Sequence, residues 1–254
     1  MTEPLLRSGL FTQHGLYGLF TQRHGGVSPP PFNSFNFGSD LGDPQCNIDR
    51  NMQQLLATGA LPATPHQMVQ VHGNDYHLLN GPGKMHNAEA DILLATQPGT
   101  AIAVRTADCL PILLADPQTG VIAAVHAGWR GTAASVVAHA VKAMLQYGAE
   151  RERIIASLGP CIGPCCFKIG KESAQQLAAC CSDTATCIIE KTSETYADLA
   201  VINRLQLLQS GLNRANIEHL EACTACDAER YFSYRRDGGR TGRHLAVVGL
   251  PARP

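Results

Sequence analysis

The chain has 254 residues, 20 Lys and Arg against 21 Asp and Glu, 44% hydrophobic residues and ten cysteines. This length supports a sizeable buried core without any compositional break that calls for a second unit, so residues 1–254 are read as a single domain. The balanced charge argues against the broad basic field of a nucleic-acid or membrane-surface binder, no apolar run approaches the roughly 20 residues needed to span a bilayer, and no signal-peptide pattern is present, so a cytoplasmic protein with mostly reduced thiols is expected.

In chain order, residues 9–14 (GLFTQH) and 18–23 (GLFTQR) form a near repeat. Two copies this short are read as chance or as two strands. Residues 24–44, rich in Gly, Pro, Asn and Ser, are read as a loop, and residues 47–57 as a helix with Ile48, Met52, Leu55 and Leu56 on one face. Residues 67–79 read as a strand, a turn at His72-Gly73-Asn74-Asp75 and a return strand, which places His72 at a strand end. Residues 81–90 read as a loop and 91–94 as a short strand. Apolar runs at 101–104, 110–115 and 121–125 are strands, and the Asp116-Pro117-Gln118-Thr119-Gly120 turn pairs the last two antiparallel. With Ala115 or Asp116 opposite Gly120 or Val121, Cys109 falls opposite Ala127 to within one residue. A thiol and the His126 imidazole thus become neighbours at the hairpin's open end.

Beyond Gly128-Trp129-Arg130-Gly131, the spacing of Val136, Val137, Ala140, Val141, Met144 and Leu145 predicts a helix closed by Gly148. The free N–H groups at a helix start, beside Arg130, suit an anion. A strand at 154–158, a Gly- and Pro-punctuated loop at 159–167, helices at 171–179 and 198–209 and a last strand at 244–250 complete the chain. The second helix is read with Leu199, Ile202, Leu205 and Leu208 inward. Interleaved strands and helices with an antiparallel hairpin indicate an α/β or α+β protein with mixed sheets. No GxGxxG or GxxxxGK[ST] pattern points to a dinucleotide or P-loop site.

If His72, Cys109 and His126 converge, they form a three-ligand set of the kind catalytic zinc sites use, with a fourth position open; copper also accepts imidazole and thiolate. The rival reading is metal-free, with Cys109 as nucleophile, His126 as base and Asp108 or Asn74 orienting it. Three candidate ligands at three strand ends favour metal, because a thiol nucleophile needs only one histidine. A second group, Cys161, Cys165, Cys166, Cys223 and Cys226, pairs one CxxC with an irregular CxxxCC and is expected to be ordinary buried thiols rather than a structural metal site. Arg23, Arg105, Arg130, Arg235, Arg236 and Arg243 fall in loops or at strand ends, where a guanidinium can clamp phosphate. Tyr234 and Phe232 are candidates for stacking on a base.

The segments Arg23-His24-Gly25-Gly26-Val27-Ser28, Gln70-Val71-His72-Gly73, Thr106-Ala107-Asp108-Cys109-Leu110-Pro111, His126-Ala127-Gly128-Trp129-Arg130-Gly131, Gly159-Pro160-Cys161-Ile162-Gly163 and Phe232-Ser233-Tyr234-Arg235-Arg236 resemble, in order, the blocks of the YfiH-like family, also called the laccase-domain or multicopper polyphenol oxidase family. The TADC and HAGWRG blocks together are highly specific, and the resemblance runs from about residue 21 to the last strand. Phe35-Asn36-Phe37 and Phe167 depart modestly from the usual pattern.

The resemblance implies an α+β fold of four layers, α-β-β-α, with mixed sheets, and a metal held by His72, Cys109 and His126, with zinc favoured over copper. It implies phosphorolysis of adenosine, inosine and methylthioadenosine to free base and ribose 1-phosphate, accompanied by adenosine deamination. Asp108 joins the ligands as a candidate catalytic residue, and Arg23, Asn36, Gln70, Arg130 and Arg243 are expected to contact substrate or phosphate. Purine nucleosides and phosphate are the implied partners, without nucleic acid or membrane, and a homodimer is compatible with the family. Hydrolytic editing of peptidoglycan precursors is the alternative at the same site. Copper-dependent phenol oxidation fits less well, since multicopper sites use HxH pairs and none of the ten histidines forms one.

Overall fold

The structure, a computed structural model, describes residues 3–252 apart from residues 40, 182 and 192. Strand β1 (Leu5–Arg7) and helix α1 (Gly9–Gln13) precede β2 (Tyr17–Thr21), so the two GLFTQ copies adopt different structures. Ser8 stands before the first copy and its hydroxyl caps α1 by accepting the Phe11 N–H. The second copy follows Tyr17, a residue at home in a strand. Helix α2 (Gln45–Gly59) contains the predicted helix and is longer at both ends.

Next come β3 (Gln67–Val69), β4 (Tyr76–Leu78), β5 (Met85–Glu89) and β6 (Ile92–Ala95). β3 and β4 do not pair with each other as a strand and its return. β3 lies parallel to β5, and β4 lies parallel to β6. β5 replaces part of the expected 81–90 loop; its sequence, MHNAE, is exposed at nearly every position and carries no alternation to betray a strand.

The central strands are β7 (Ala101–Thr106), β8 (Leu110–Asp116) and β9 (Val121–Ala127), followed by α3 (Trp129–Ala133) and α4 (Val136–Gln146). The β8–β9 hairpin pairs Asp116 with Val121, Pro111 with His126 and Leu110 with Ala127, which agrees with the predicted register to within one residue. The remaining elements are β10 (Ile155–Leu158), β11 (Lys168–Ile169), α5 (Lys171–Ala179), α6 (Thr184–Cys187), β12 (Ile188–Lys191), β13 (Glu194–Ala197), α7 (Leu199–Gln209), β14 (Ile217–His219) and β15 (His244–Gly249). Cys181 and Cys187 form a disulfide, and the other eight cysteines are free. No helix among the described residues is long and apolar enough to cross a membrane.

The strands make an antiparallel sheet of order β1-β2-β15-β7 and a mixed sheet of order β14-β10-β8-β9-β6-β4, with two smaller sheets, β11-β13-β12 and β3-β5. Alternation along the hairpin divides its side chains between two cores. Ile112, Leu114, Ala123 and Val125 pack with Val137, Ala140 and Met144 of α4 and with Leu199 and Ile202 of α7. Leu113, Ala115, Ile122 and Ala124 pack against Ile102, Val104, Ala246 and Val248 of the antiparallel sheet. A third core joins Leu19, Ala103 and Val247 to Leu55 of α2 and to Phe35 and Phe37.

Helix α7 buries Leu207, together with Asn203 and Gln206, where the sequence pattern put Leu205 and Leu208 inward. The reason is polar: Asn203 donates to Thr132 Oγ1 at 2.9 Å and Gln206 to the Thr132 carbonyl at 3.0 Å, which turns two amides toward the protein interior.

Asp116 closes the hairpin. Its fully buried carboxylate accepts the N–H groups of Gln118, Thr119 and Glu150, and three bonds from Arg153, two from Nε and one from Nη2. Burial alone would raise its pKa; Arg153 and the three N–H donors outweigh this and lower it. Asp116→Asn should therefore cost about 2 kcal/mol of unfolding free energy at neutral pH, measured by urea denaturation. Because the folded-state pKa is depressed, the stabilisation is present above the ordinary carboxylate range and lost as pH falls through the folded value, so the gap between wild type and variant should narrow in acid.

Candidate functional site

Antiparallel pairing of β6 with β9 sets Ile92 opposite Val125, which puts Asp91 beside His126 just beyond the regular ladder. Both residues share the alternation that faces the space between the two large sheets. Asp91 has no exposed surface and its carboxylate is saturated. Oδ1 accepts the His72 N–H at 3.0 Å and lies 2.6 Å from His126 Nδ1, while Oδ2 accepts the N–H groups of Val71 at 3.1 Å and Gly73 at 2.7 Å. Three successive backbone N–H groups thus converge on one carboxylate, as in an anion-binding nest. His72 meets this demand with φ of 62°, a left-handed conformation uncommon outside glycine.

The same arrangement assembles the predicted donors. With Nδ1 engaged by Asp91, His126 presents Nε2 toward Cys109. Cys109 Sγ lies 3.9 Å from His72 Nε2, the two imidazole centroids are 4.8 Å apart, and one donor atom from each of the three residues falls within 4.8 Å of the others. Gly128, the residue before α3, leaves room for this cluster; a Cβ there would approach His72 Cδ2 to 2.6 Å and Cys109 Sγ to 3.2 Å.

The charges within the cluster reinforce one another. Desolvation would raise the Cys109 pKa, but the positive charge and hydrogen bond of His126, with His72 behind them, bring it down to about 6. Desolvation would lower the His126 pKa, but Cys109 and Asp91 together push it up to about 9. The lowered thiol and the raised imidazole both favour the thiolate–imidazolium form of the pair. A cation would take over the role of the imidazolium proton.

Asp108 has φ of 88° and is buried next to the cluster, but its carboxylate engages other groups. It accepts from Thr224 Oγ1 at 2.6 Å, Ser233 Oγ at 3.0 Å and the Arg235 N–H at 2.7 Å, pinning two distant loops to the segment before β8. Asn74 donates to the Ala134 carbonyl. Neither Asp108 nor Asn74 orients His126; Asp91 does. A single acidic residue preceding an apolar run carries no motif, and only the register of β6 against β9 reveals its role.

The cluster lies at the floor of a pocket of about 650 Å³ whose walls include Arg105, Arg130, Arg235, Arg243, Trp129 and Tyr234. This volume lies within the range of small-molecule sites. The Arg130 guanidinium lies 4.5 Å from the Trp129 ring centroid and has no hydrogen-bond or ion-pair partner among the described residues. Arg243 donates through one nitrogen to the Thr241 and Gly242 carbonyls and stacks on Tyr234. Gln70 reaches the pocket, though its amide is engaged in both directions with the Arg105 backbone.

Two of the expected contact residues lie behind the wall. Arg23 donates to the Asn33 and Ala228 carbonyls and stacks on Phe232. Asn36, fully buried, accepts the N–H groups of Gly38 and Arg243 and donates to Asp43, and so shapes the loop that holds Arg243. Arg236 is likewise taken up by the Thr224 and Tyr231 carbonyls, and Phe232 is a core residue. Tyr234, 55% exposed at the pocket, is the aromatic ring left open to a ligand.

Residues 18–251 match the family model described as multi-copper polyphenol oxidoreductase laccase. The chain is 37% identical to a purine nucleoside phosphorylase of Deinococcus radiodurans, over 98% of this chain and 94% of that protein. It is 36% identical to the purine nucleoside phosphorylase YfiH of Escherichia coli K12, over 93% of this chain and 94% of that one. Among solved structures it matches YlmD of Geobacillus stearothermophilus with a TM-score of 0.88 and 30% identity, covering 99% of this chain and 97% of the other. From the TADC and HAGWRG blocks to the mixed sheets they occupy, the chain belongs to the multi-copper polyphenol oxidoreductase laccase family.

Proposed function

We propose that the protein is a zinc-dependent purine nucleoside phosphorylase acting on adenosine, inosine and methylthioadenosine, with adenosine deamination at the same pocket. The observation that carries this reading is the convergence of His72, Cys109 and His126 on the floor of an arginine-walled pocket, in a chain whose relatives bear the phosphorylase name. Two imidazoles and one thiolate, the His126 ring held by a buried carboxylate, suit zinc, and the same donors accept copper. The same reading takes the chain as one domain of four layers, α-β-β-α, supported by the three apolar cores that separate α2, the two large sheets and the α4 and α7 helices.

In phosphorolysis a phosphate oxygen bonds to the ribose C1′ as the bond from C1′ to the purine nitrogen breaks, and the base leaves as the neutral purine with the proton that hydrogen phosphate gives up. Arg130 and Arg243 would bind and orient the phosphate in forked fashion and offset its charge. Tyr234 would cover one face of the base. Asp108, accepting from three donors, is assigned to positioning the Cys109 segment and the Arg235 loop rather than to giving up a proton. Arg23 and Asn36 are assigned to holding the pocket wall. A zinc ion bound by His72, Cys109 and His126 would supply Lewis acidity at the pocket floor.

One observation favours a second reading, a thiol hydrolase acting on peptidoglycan precursors. Cys109, His126 and Asp91 stand in the order nucleophile, base and orienting carboxylate, and the thiol pKa is already low. Metal dependence separates the two.

Cys109→Ala should lose the metal at the pocket floor together with release of adenine from adenosine in phosphate, followed by metal analysis and chromatography. Phosphorolysis surviving in that variant would overturn the metal-site reading. Gly128→Ala, which drives a methyl group into His72, should lower kcat/KM about tenfold or more while the urea midpoint stays near wild type. In metal-stripped protein, Cys109 should reach half-maximal alkylation by iodoacetamide near pH 6, since the lowered pKa makes thiolate the dominant form above that value; an ordinary thiol would require about pH 8.5.

A further inference from the structure

The irregular cysteine group forms a site of its own. Cys165 and Cys166 lie in the turn between β10 and β11, and Cys223 and Cys226 in the loop between β14 and β15. Cys165 and Cys226 are exposed, and Cys166 and Cys223 are only partly buried, so these are not the ordinary buried thiols that the sequence pattern predicts. Cys161 is buried, stands apart from the other four, and pairs through its backbone with the Cys223 segment in a parallel bridge.

The four sulfurs are grouped closely. Cys226 Sγ lies 3.5 Å from Cys165 Sγ and 3.3 Å from Cys166 Sγ, and all four Sγ atoms fall within 4.8 Å of one another. A tetrahedral tetrathiolate with metal–sulfur bonds of about 2.3 Å has sulfur–sulfur edges of about 3.8 Å. Disulfide formation explains this grouping less well, because Cys226 is equally close to two partners and can bond only one. The backbone supports the cluster: the Gly163 N–H lies 3.2 Å from Cys223 Sγ, a donor suited to a thiolate, and a Cβ at Gly163 would come within 3.3 Å of both Cys165 Sγ and Cys223 Cβ. Soft thiolates in this arrangement select zinc among the common divalent ions.

We propose that Cys165, Cys166, Cys223 and Cys226 bind a second metal ion, a structural zinc, that clamps the 159–167 loop to the 222–227 loop. Both loops serve the pocket. Ile162 and Phe167 line it and the Ile162 N–H bonds the Asp108 carbonyl, while Thr224 holds the Asp108 carboxylate. The site is closed, with four protein ligands and no position for substrate, in contrast to the three-ligand cluster at the pocket floor.

The test is metal stoichiometry on the full chain purified with reductant and without chelator. Two zinc ions per chain are expected in wild type and one in Cys109→Ala, and X-ray absorption on that variant should show four sulfur neighbours at about 2.3 Å. Cys226→Ser should also drop to one. If Cys226→Ser fails to fold, the Cys109→Ala measurement decides alone. A single zinc in wild type that disappears in Cys109→Ala would overturn this proposal and leave the pocket metal standing; a single zinc that persists in Cys109→Ala with an all-sulfur shell would do the reverse. A disulfide among the four cysteines, found by peptide mapping of the reductant-purified protein, would also overturn it.

Discussion

The Asp91 carboxylate accepts the N–H groups of Val71, His72 and Gly73 and the Nδ1 of His126 without touching solvent. A buried carboxylate with fewer donors would carry a large desolvation cost, so the 71–73 segment is held in a left-handed turn at His72 to supply them. That turn and the His126 ring then place both imidazoles beside Cys109. The site is organised from beneath, by a residue whose side chain needs no contact with substrate, and the strain at His72 is compensated by four hydrogen bonds to a single charge.

Strand parity places the cluster between the two large sheets. Cys109 and His126 share the alternation of the side chains that fill the inter-sheet core, and they lie where that core opens toward solvent. A one-residue slip in the β8–β9 register would exchange these positions with those facing α4. The Asp116 network at the closed end of the hairpin and the Asp91 network at its open end therefore constrain the same register from opposite ends.

Much of this was legible in the chain itself. The hairpin follows from apolar alternation and a Pro/Gly turn, and its register alone brings Cys109 to His126. Other elements left no readable signal. β5 is polar along its length, and β3 and β4 find parallel partners beyond their immediate neighbours, where local pattern has no reach. Arginines in loops all look alike in sequence; only the fold separates Arg130 and Arg243, which line the pocket, from Arg23 and Arg236, which do not. The sequence shows the cysteine group but reads it as buried thiols, because the incomplete burial of four of them and the meeting of their two halves beside the β10–β14 pairing are features that no spacing rule encodes.

The last strand occupies an interior position. β15 lies between β2 and β7, paired to both, so the antiparallel sheet cannot close until residues 244–249 are available. During synthesis β2 and β7 must wait, with the edges that β15 will pair left open, until residues 244–249 have left the ribosome. The interval before β15 docks is the period in which the nascent chain most needs protection from aggregation.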